Sequence, residues 1–318
     1  MAVAIRWILS SSIPIRAFES EYLGDAIPEH HQLAQIPSSV GMFASLIVCT
    51  RDRAHRLPAF LASLDSVDFA DADLVLVDNA SRDGTGAHLR EWARDRRNVQ
   101  VVSEPVPGLG RARNTGWRIS RGEIAIFTDD DCYPAPDFLG KHAELFRQDA
   151  ALGWASGRIL LHDPMDAPVT IQESTLTVRF PSRRFLPTGA VHGANISFRR
   201  SALEAIRGFD PRMGAGTGHP CEDIDAAARA SFAGWDGVYS PSPVVSHHHG
   251  RRGEKEVADL LRNYMRGRGH YYAKALSERT MRSAYLRAVL GKWFHQPKGE
   301  VATEAAAMVR WYLRGAWS

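Results

Sequence analysis

Three consecutive aspartates offer the clearest potential for chemistry in this sequence. Asp129, Asp130 and Asp131 follow the short apolar run 124–127 and precede the segment Cys-Tyr-Pro. Neighbouring carboxylates repel one another, so a bound cation would stabilise them, and hard oxygen ligands favour Mg²⁺ or Mn²⁺. The cluster therefore predicts a divalent-metal site that holds Mg²⁺ or Mn²⁺, with a solvated acidic turn as the alternative interpretation.

A second acidic pair stands later in the chain. Glu222 and Asp223 follow the glycine-rich segment 214–218, and the alanine-rich stretch after them has the composition of a helix. Acids at a helix N-terminus can stabilise the helix by about 0.3–1 kcal/mol, and a carboxylate can also act as a general base. The residue types alone leave both interpretations open.

Further polar residues follow other apolar runs. Thr50 and Asp52 come after the run 44–49, and Asp78 comes after the run 73–77. An acid at such a position can accept a hydrogen bond from a nucleobase or a ribose hydroxyl, or it can simply cap a turn.

The segment 108–114, with the sequence GLGRARN, combines a glycine-led helix start with Arg113. A helix N-terminus beside an arginine suits an anion such as a diphosphate. The segment lacks the last glycine of the dinucleotide fingerprint and the lysine of the phosphate loop. Nicotinamide-binding and P-loop functions are therefore disfavoured.

The elements that must position these residues can be read from the apolar periodicity. Runs at 44–49, 73–77, 99–103 and 124–127 predict strands, and a segment of helical spacing follows each of the first three. This alternation predicts an α/β fold with a doubly wound, mixed and mainly parallel sheet that is flanked by helices. Because such sheets bind ligands at the carboxyl ends of their strands, we expect the polar residues to meet at one edge.

Composition excludes several other classes of protein. The chain has 318 residues, a net charge of +3 and three widely spaced cysteines. The small charge gives no reason to expect nucleic acid, and the cysteine spacing predicts neither a disulfide framework nor a zinc cluster. No apolar run reaches the 18 residues of a spanning helix. We expect a cytoplasmic protein, with peripheral contact at the inner face of the membrane as a further expectation.

Four segments in order carry a resemblance to a known family. VCTRDR, VDNASRDGT, GLGRARNTG and FTDDDCYPAPDFL resemble the family 2 glycosyltransferases of the GT-A fold, over about residues 43–249. The resemblance implies a metal-dependent, inverting transfer from a nucleoside-diphosphate sugar to a hydroxyl of a glycan or lipid-linked acceptor. A UDP-sugar is favoured as the donor, with a GDP- or dTDP-sugar as the alternatives.

The resemblance also implies roles for individual positions. The residues expected at the nucleoside are Thr50, Asp52 and Asp78, Arg113 is expected near the base or diphosphate, and Asp129, Asp130 and Asp131 are expected at the metal and ribose. The segment His192–Phe198 resembles the family's turn beside the donor sugar, which places Asn195 in the substrate site. The pair Glu222-Asp223 matches the family's ED motif, with Asp223 as the base and Glu222 as the alternative base or an acceptor ligand.

Three adjacent histidines, 247–249, follow a predicted strand at 244–245. Some enzymes of the fold place a metal-binding histidine here, so His247 is predicted as a metal ligand and His249 as its alternative. Because side chains alternate along a strand, the three rings cannot all point one way. The QxxRW motif of processive synthases is absent, which predicts a non-processive enzyme.

The chain divides into three expected regions. Residues 1–41 read as a loosely ordered extension, with Met42 as a candidate functional start. Residues 42–250 read as the catalytic domain, with a nucleotide-sugar half at 42–135 and an acceptor half at 136–250. Residues 251–318 read as a basic helical region, which carries 14 Lys and Arg against 6 Asp and Glu.

The basic region permits two interpretations. Tryptophans and arginines on amphipathic helices suit a membrane surface, and the same pattern suits helices that pack back on the catalytic domain with a solvated basic face. Two other functions also stay open, a nucleotidyltransferase and a non-catalytic sugar-binding module. Release of nucleoside diphosphate from a donor panel would separate a transferase from a binding module.

Overall fold

The structure, a computed structural model, describes residues 43–315. The expectations of a loosely ordered extension at 1–41 and a start at Met42 lie outside these residues. The described strands are β1 Ala44–Thr50, β2 Ala72–Asn79, β3 Val99–Glu104, β4 Ile124–Asp129, β5 Cys132–Pro134, β6 Leu152–Leu161, β7 Val178–Phe180, β8 Ile196–Arg199 and β9 Asp236–His247. The described helices are α1 Leu57–Leu64, α2 Thr85–Ala93, α3 Leu109–Ile119, α4 Phe138–Gln148, α5 Arg200–Ala205, α6 Glu222–Phe232, α7 Glu254–Ser277, α8 Arg282–His295 and α9 Lys298–Gly315.

One mixed sheet organises the molecule, with the strand order β3-β2-β1-β4-β8-β6-β9-β5 and with β7 also paired to β9. Strands β3, β2, β1 and β4 are mutually parallel, and β6 is parallel to β9. Strand β8 runs antiparallel between β4 and β6. The six strands β3, β2, β1, β4, β6 and β9 therefore share one direction, which confirms the predicted mixed, mainly parallel sheet with flanking helices.

The strands of the first half are buried on both faces, as their uninterrupted apolar runs predict. In β1, Ile47 packs into one hydrophobic cluster, whereas Leu46 and Val48 pack into the cluster on the opposite face. All three side chains are at most 1% exposed. This burial fixes the register of β1 against its neighbours, since a shift by one residue would exchange the two faces.

The C-terminal helices pack onto the same core. Tyr271, Tyr272 and Tyr285 of α7 and α8 lie in one hydrophobic cluster with Ile47 of the central sheet. The prediction of a helical C-terminal region is confirmed. None of the described helices is long and apolar enough to cross a membrane.

Helix α7 approaches two other segments very closely through its glycines. A Cβ atom at Gly267 would lie 2.7 Å from Pro220 Cγ and 2.8 Å from Cys221 Sγ. A Cβ atom at Gly269 would lie 2.4 Å from the Glu304 carbonyl oxygen. Glycine at these positions lets α7 rest directly on the loop before α6 and on helix α9.

Candidate active site

The carboxyl ends of three parallel strands bring the first site residues together. Thr50 pairs in register with Asp78 across β1 and β2, and Cys49 pairs with Asp129 across β1 and β4. The polar residues that follow three separate apolar runs therefore line one edge of the sheet. This is the edge at which open α/β sheets bind ligands.

The three aspartates face different partners. Asp130 accepts a hydrogen bond from Thr50 Oγ1 at 2.5 Å, and its Oδ1 lies 3.5 Å from Arg53 Nε. The Asp131 Oδ1 atom lies 3.3 Å from His247 Nε2, whereas the side chain of Asp129 is 37% exposed. Burial raises the pKa of Asp130 to about 6, although Arg53 and Thr50 oppose the shift.

Asp131, Cys132 and His247 form a compact set of donor atoms. One carboxylate oxygen, the thiol sulfur and one imidazole nitrogen all lie within 4.8 Å of one another. Cys132 pairs with His247 in the β5–β9 register, which explains why the two side chains meet. The oxygen and the nitrogen suit a divalent ion such as Mn²⁺ or Mg²⁺, whereas a thiol is a poor ligand for Mg²⁺.

The Asp131–His247 pair is electrostatically coupled. Burial acts to raise the pKa of Asp131, but the hydrogen bond and charge of His247 outweigh it and leave that pKa below its usual value. Burial likewise acts to lower the pKa of His247, but Asp131 and Asp129 outweigh it and raise that pKa. A divalent ion that displaced the shared proton would meet an anionic carboxylate and a neutral imidazole, so these two residues fit a metal.

The neighbouring histidines turn to different sides, as strand alternation predicts. The rings of His247 and His249 lie on one side with centroids 5.1 Å apart. His249 Nε2 lies 3.1 Å from the Ala167 carbonyl oxygen. His248 lies on the other side, with Nδ1 at 3.1 Å from the Tyr133 hydroxyl.

Arg113 connects the aspartates to the second acidic pair. Its guanidinium donates to Glu222 Oε1 at 2.8 Å and to the Gly193 carbonyl oxygen at 3.1 Å, and it lies 3.4 Å from Asp129 Oδ1. The side chain is 2% exposed. Burial works against its charge, but the carboxylates of Glu222, Asp129 and Asp223 outweigh burial and raise the pKa of Arg113. The arginine is therefore a fixed cation at the centre of the site.

Helix α6 begins with the second acidic pair, and the two acids differ in environment. Glu222 is 6% exposed, and burial raises its pKa to about 7 against the opposing charge of Arg113. Asp223 is half-buried and accepts hydrogen bonds from the amides of Gly193 at 2.6 Å and Ile224 at 2.8 Å. Glu222 is thus held in the interior by an ion pair, whereas Asp223 remains partly open to solvent.

Asp223 shares its surroundings with the metal-side acids and with helix α7. The side chain of Asp129 is 37% exposed, and its partial desolvation raises its pKa; Arg113 opposes the shift, and the charge of Asp223 adds to it. Tyr264 of α7 is 37% exposed. Partial desolvation raises its pKa, Arg251 opposes the shift, and the charges of Asp223 and Asp129 add to it. Tyr264 therefore lies within electrostatic range of both groups of acids.

Asp52 and Asp78 lie in neighbouring turns. Asp52 accepts a hydrogen bond from the Arg82 amide at 2.7 Å, and Asp78 accepts one from the Ser81 amide at 3.2 Å. The side chain of Asp52 is 45% exposed. Both acids cap the turn that precedes α2, and the predicted contacts with a nucleoside stay predictions.

The structure does not place Asn195 in the cleft. The residue is 0% exposed, and its amide donates to the carbonyl oxygens of Arg158 at 2.9 Å and Pro243 at 3.0 Å. Its Oδ1 atom lies 2.9 Å from His142 Nε2. All of its polar atoms are engaged inside the protein, so the expected direct contact with a donor sugar is corrected to a role in holding β6 and β9 together.

Three residues near the site, namely Cys132 of the donor set, Arg53 and Tyr264, were not among the sequence candidates. Arg53 lies within 4 Å of both Asp130 and Asp131, and its position three residues after Thr50 was an available signal. Tyr264 had no such signal, because nothing in a local motif shows that α7 folds back to the acids.

Comparisons with known proteins point to one family. A family model described as Glycosyl transferase family 2 matches residues 45–207, just over half of the chain. An N-acetylglucosaminyl-diphospho-decaprenol L-rhamnosyltransferase of Mycobacterium tuberculosis is 32% identical over 303 residues, covering 85% of this chain and 94% of the relative.

Two solved structures share the fold. The mannosyltransferase PcManGT from Pyrobaculum calidifontis, in complex with GDP-Man and Mn²⁺, aligns with a TM-score of 0.63 and 21% identity, over 100% of this chain and 87% of that chain. TarS 1–349 from S. aureus, in complex with UDP-GlcNAc, aligns with a TM-score of 0.60 and 18% identity, over 84% of this chain and 79% of that chain.

Proposed function

Because the chain belongs to glycosyl transferase family 2 and is a glycosyltransferase, we propose that it performs an inverting, metal-dependent and non-processive transfer. The donor is a nucleoside-diphosphate sugar and the acceptor is a hydroxyl of a lipid-linked glycan. One observation carries the proposal: Arg113 ties Asp129, at the metal-side edge of the sheet, to Glu222 at the start of α6. A site for the leaving diphosphate and a site for the base thus lie side by side.

Asp131 and His247 are proposed to hold Mg²⁺ or Mn²⁺, since their donor atoms already lie 3.3 Å apart in a buried position. When bound, the ion supplies positive charge that offsets the charge developing on the leaving diphosphate. Asp129 and Asp130 are proposed to support this site and to contact the ribose. Cys132 stands beside the pair, and its burial with the nearby acids keeps the pKa of its thiol well above the usual value.

Asp223 is proposed as the general base. In a single displacement, the acceptor oxygen forms a bond to the anomeric carbon while the bond to the diphosphate oxygen breaks, and the acceptor proton passes to a carboxylate. Asp223 is half-buried, whereas the Glu222 carboxylate is bound to Arg113. Each Asp223 oxygen accepts one backbone N–H and keeps a second lone pair with which to take a proton. Glu222 is proposed to fix Arg113, with base catalysis as its alternative role.

The nucleoside half of the donor is proposed to lie along Thr50, Asp52 and Asp78. Thr50 and Asp78 are adjacent in register, and Asp52 follows Thr50 by two residues. We accordingly propose 42–135 as the nucleotide-sugar half and 136–250 as the acceptor half. A UDP-sugar remains the favoured donor, with GDP- and dTDP-sugars as alternatives.

A lipid-diphosphate-linked sugar is the acceptor class suggested by the name of the mycobacterial relative. The mycobacterial relative, 32% identical, is named as a transferase to N-acetylglucosaminyl-diphospho-decaprenol. We propose an acceptor of the same chemical class, met at the inner face of a membrane.

A donor and acceptor panel tests the proposed function. The full-length protein is incubated with UDP-, GDP- and dTDP-sugars, including a rhamnose donor, and with a polyprenyl-diphosphate sugar in detergent. We expect release of nucleoside diphosphate and formation of a glycosylated lipid with inverted anomeric configuration by NMR, dependent on Mn²⁺ or Mg²⁺. Release of diphosphate without any product of inverted configuration, or full activity in excess chelator, would contradict the proposal.

A further inference from the structure

We propose that the outward face of helix α8, formed by Leu286, Leu290 and Phe294, docks the protein on an anionic lipid bilayer. This inference rests on the proposed function, because a lipid-linked acceptor would be presented at such a surface. We name these three side chains the α8 face.

The α8 face is an aligned apolar surface that the rest of the described chain leaves uncovered. Leu286, Leu290 and Phe294 are 47%, 56% and 86% exposed. Their spacing of four residues places them on one side of the helix. Single exposed leucines are ordinary, but an aligned patch of large apolar side chains marks an interaction surface.

The opposite side of the helix is already used for packing. Tyr285 and Val289 are 0% and 2% exposed and lie in the main hydrophobic cluster. Helix α8 is therefore apolar on both sides, a pattern normally found in helices that are buried all round. Residues 43–315 supply a protein environment for one side only.

The charge of the segment around α8 indicates which kind of partner the α8 face contacts. The segment 279–299 contains no aspartate or glutamate, and its cationic residues are Arg279, Arg282, Arg287, Lys292 and Lys298. Lys292 donates to the Tyr272 hydroxyl on the packed side, whereas the other four cations are exposed. Exposed apolar side chains in a segment with exposed cations and no acids fit an anionic membrane surface, where the apolar side chains enter the interface and the cations meet lipid headgroups. A second copy of the chain would bring two such cationic surfaces together, so self-association through this face is disfavoured.

The tryptophans of this region are engaged elsewhere. Trp293 donates from Nε1 to Glu304 Oε2 at 2.8 Å, and the Trp311 ring packs against His219 with centroids 5.2 Å apart. Trp317 lies outside the residues that the structure describes. The apolar contact with a bilayer therefore falls to the leucines and the phenylalanine rather than to the tryptophans that the sequence pattern offered.

The α8 face is joined to the active site through helix α7. The hydroxyls of Tyr271 in α7 and Tyr285 in α8 are hydrogen-bonded, and both rings are fully buried. The same helix α7 rests through Gly267 on Pro220 and Cys221, directly before Glu222. A protein docked through α8 would thus hold its acceptor-side helix in a fixed relation to the bilayer.

Vesicle co-sedimentation of the full-length protein tests the proposal. We compare vesicles of phosphatidylcholine alone with vesicles that also contain phosphatidylglycerol, using the wild type, the double variant Leu290→Gln/Phe294→Gln, and Met165→Gln as a control. Met165 is 71% exposed and lies far from α8 in the sequence, in the loop after β6. Burial of a large apolar side chain corresponds to about tenfold or more in affinity. We therefore expect the double variant to lose at least about tenfold in binding to anionic vesicles and Met165→Gln to bind as the wild type does.

Several results would overturn the α8 face. These are a wild type that does not bind anionic vesicles, a wild type that binds neutral vesicles equally well, and a double variant that binds like the wild type. A wild-type dimer that the double variant converts to a monomer would show a self-interface and would also overturn it. Transfer to a short-chain, water-soluble acceptor should be unchanged in the double variant.

The two proposals fail differently. Vesicle binding that depends on the α8 face, in a protein that transfers no sugar, would uphold the docking surface and refute the proposed function. Sugar transfer in detergent by a protein that does not bind vesicles would uphold the proposed function and refute the docking surface.

Discussion

Replacement of Asp223 by asparagine tests the proposed base with a minimal change of shape. The amide cannot take a proton at neutral pH, so turnover should fall by at least about 10²-fold, the lower end for loss of a general base. Donor affinity should be preserved, because the proposed nucleoside contacts lie at the ends of β1 and β2.

The structure also sets the effect on stability. Both carboxylate oxygens of Asp223 accept backbone N–H groups, from Gly193 and from Ile224. An asparagine offers only one oxygen, so its NH₂ group would face one of these amides. Loss of that hydrogen bond should cost about 1–3 kcal/mol, near the lower end because water reaches the half-buried site. Helix-cap propensities alone would predict almost no change in Tm, since Asn caps about as well as Asp. Loss of the contact with Gly193 predicts a drop of roughly 1–2 °C in a chain of this length.

Glu222→Gln is the matched control, and it should behave in the opposite way. It removes the charge that compensates the buried Arg113, which costs about 3–5 kcal/mol when a buried pair is broken. Arg113 keeps Asp129 and the Gly193 carbonyl as partners, so the loss should fall near 3 kcal/mol. Asp223→Asn should therefore lose more activity, and Glu222→Gln should lose more stability.

The loss of activity in the two variants is compared by steady-state turnover at saturating donor and metal, measured below both melting temperatures. The loss of stability is compared by thermal unfolding. Calorimetric titration with the donor nucleotide checks that the nucleoside site is intact. Near wild-type turnover in Asp223→Asn would remove Asp223 from the mechanism and transfer the role to Glu222. A larger loss of stability in Asp223→Asn than in Glu222→Gln would refute the environments derived for the two acids.

Three further predictions concern other parts of the structure. Asp131→Asn should weaken Mn²⁺ binding by at least about 10- to 100-fold in calorimetric titration, and excess chelator should abolish transfer reversibly; an unchanged titration would exclude Asp131 as a ligand. Burial lowers the pKa of His142 to about 4, so the unfolded chain takes up a proton first as the pH falls from 6.5 towards 4, and up to about 3 kcal/mol of stability should be lost in that window; denaturant unfolding against pH should show a smaller loss in His142→Gln. Lys274→Met should lower the free energy of unfolding by about 3 kcal/mol, because Lys274 Nζ lies 2.8 Å from Asp210 and 2.7 Å from Asp225 in the interior; Lys274→Arg is the control that keeps the charge, and an equal loss in both variants would contradict the charge argument.

The sheet edge could be predicted from the sequence because local patterns determine it. An apolar run that is bounded by polar residues fixes where a buried strand ends, and parallel strands align their ends. This is why Thr50, Asp78 and Asp129 could be placed together before any contact was known. The observed bounds of β1 and β2 differ from the predicted runs by at most two residues at either end.

The contacts across the site could not be predicted in the same way. Arg113 and Glu222 are 109 residues apart in sequence, and no local pattern pairs them. The orientation of Asn195 depends on carbonyl groups of Arg158 and Pro243 that the turn motif does not contain. Such distant partners decide the direction in which a polar side chain leaves a turn. The motif therefore located the turn that carries Asn195 but gave the wrong role for its side chain.

Gly267 has a consequence for attempts to re-engineer acceptor preference by exchanging the C-terminal region with a relative. Any side chain at this position would push α7 off Pro220 and Cys221. Cys221 is already in a left-handed conformation, with φ of 83°, immediately before Glu222. Glu222 and Asp223 are the first and second residues after Cys221, so a displaced helix α7 would also shift these two acids. A chimera that takes the loop 214–221 from the same parent as α7 keeps this contact, so the two segments should be exchanged together.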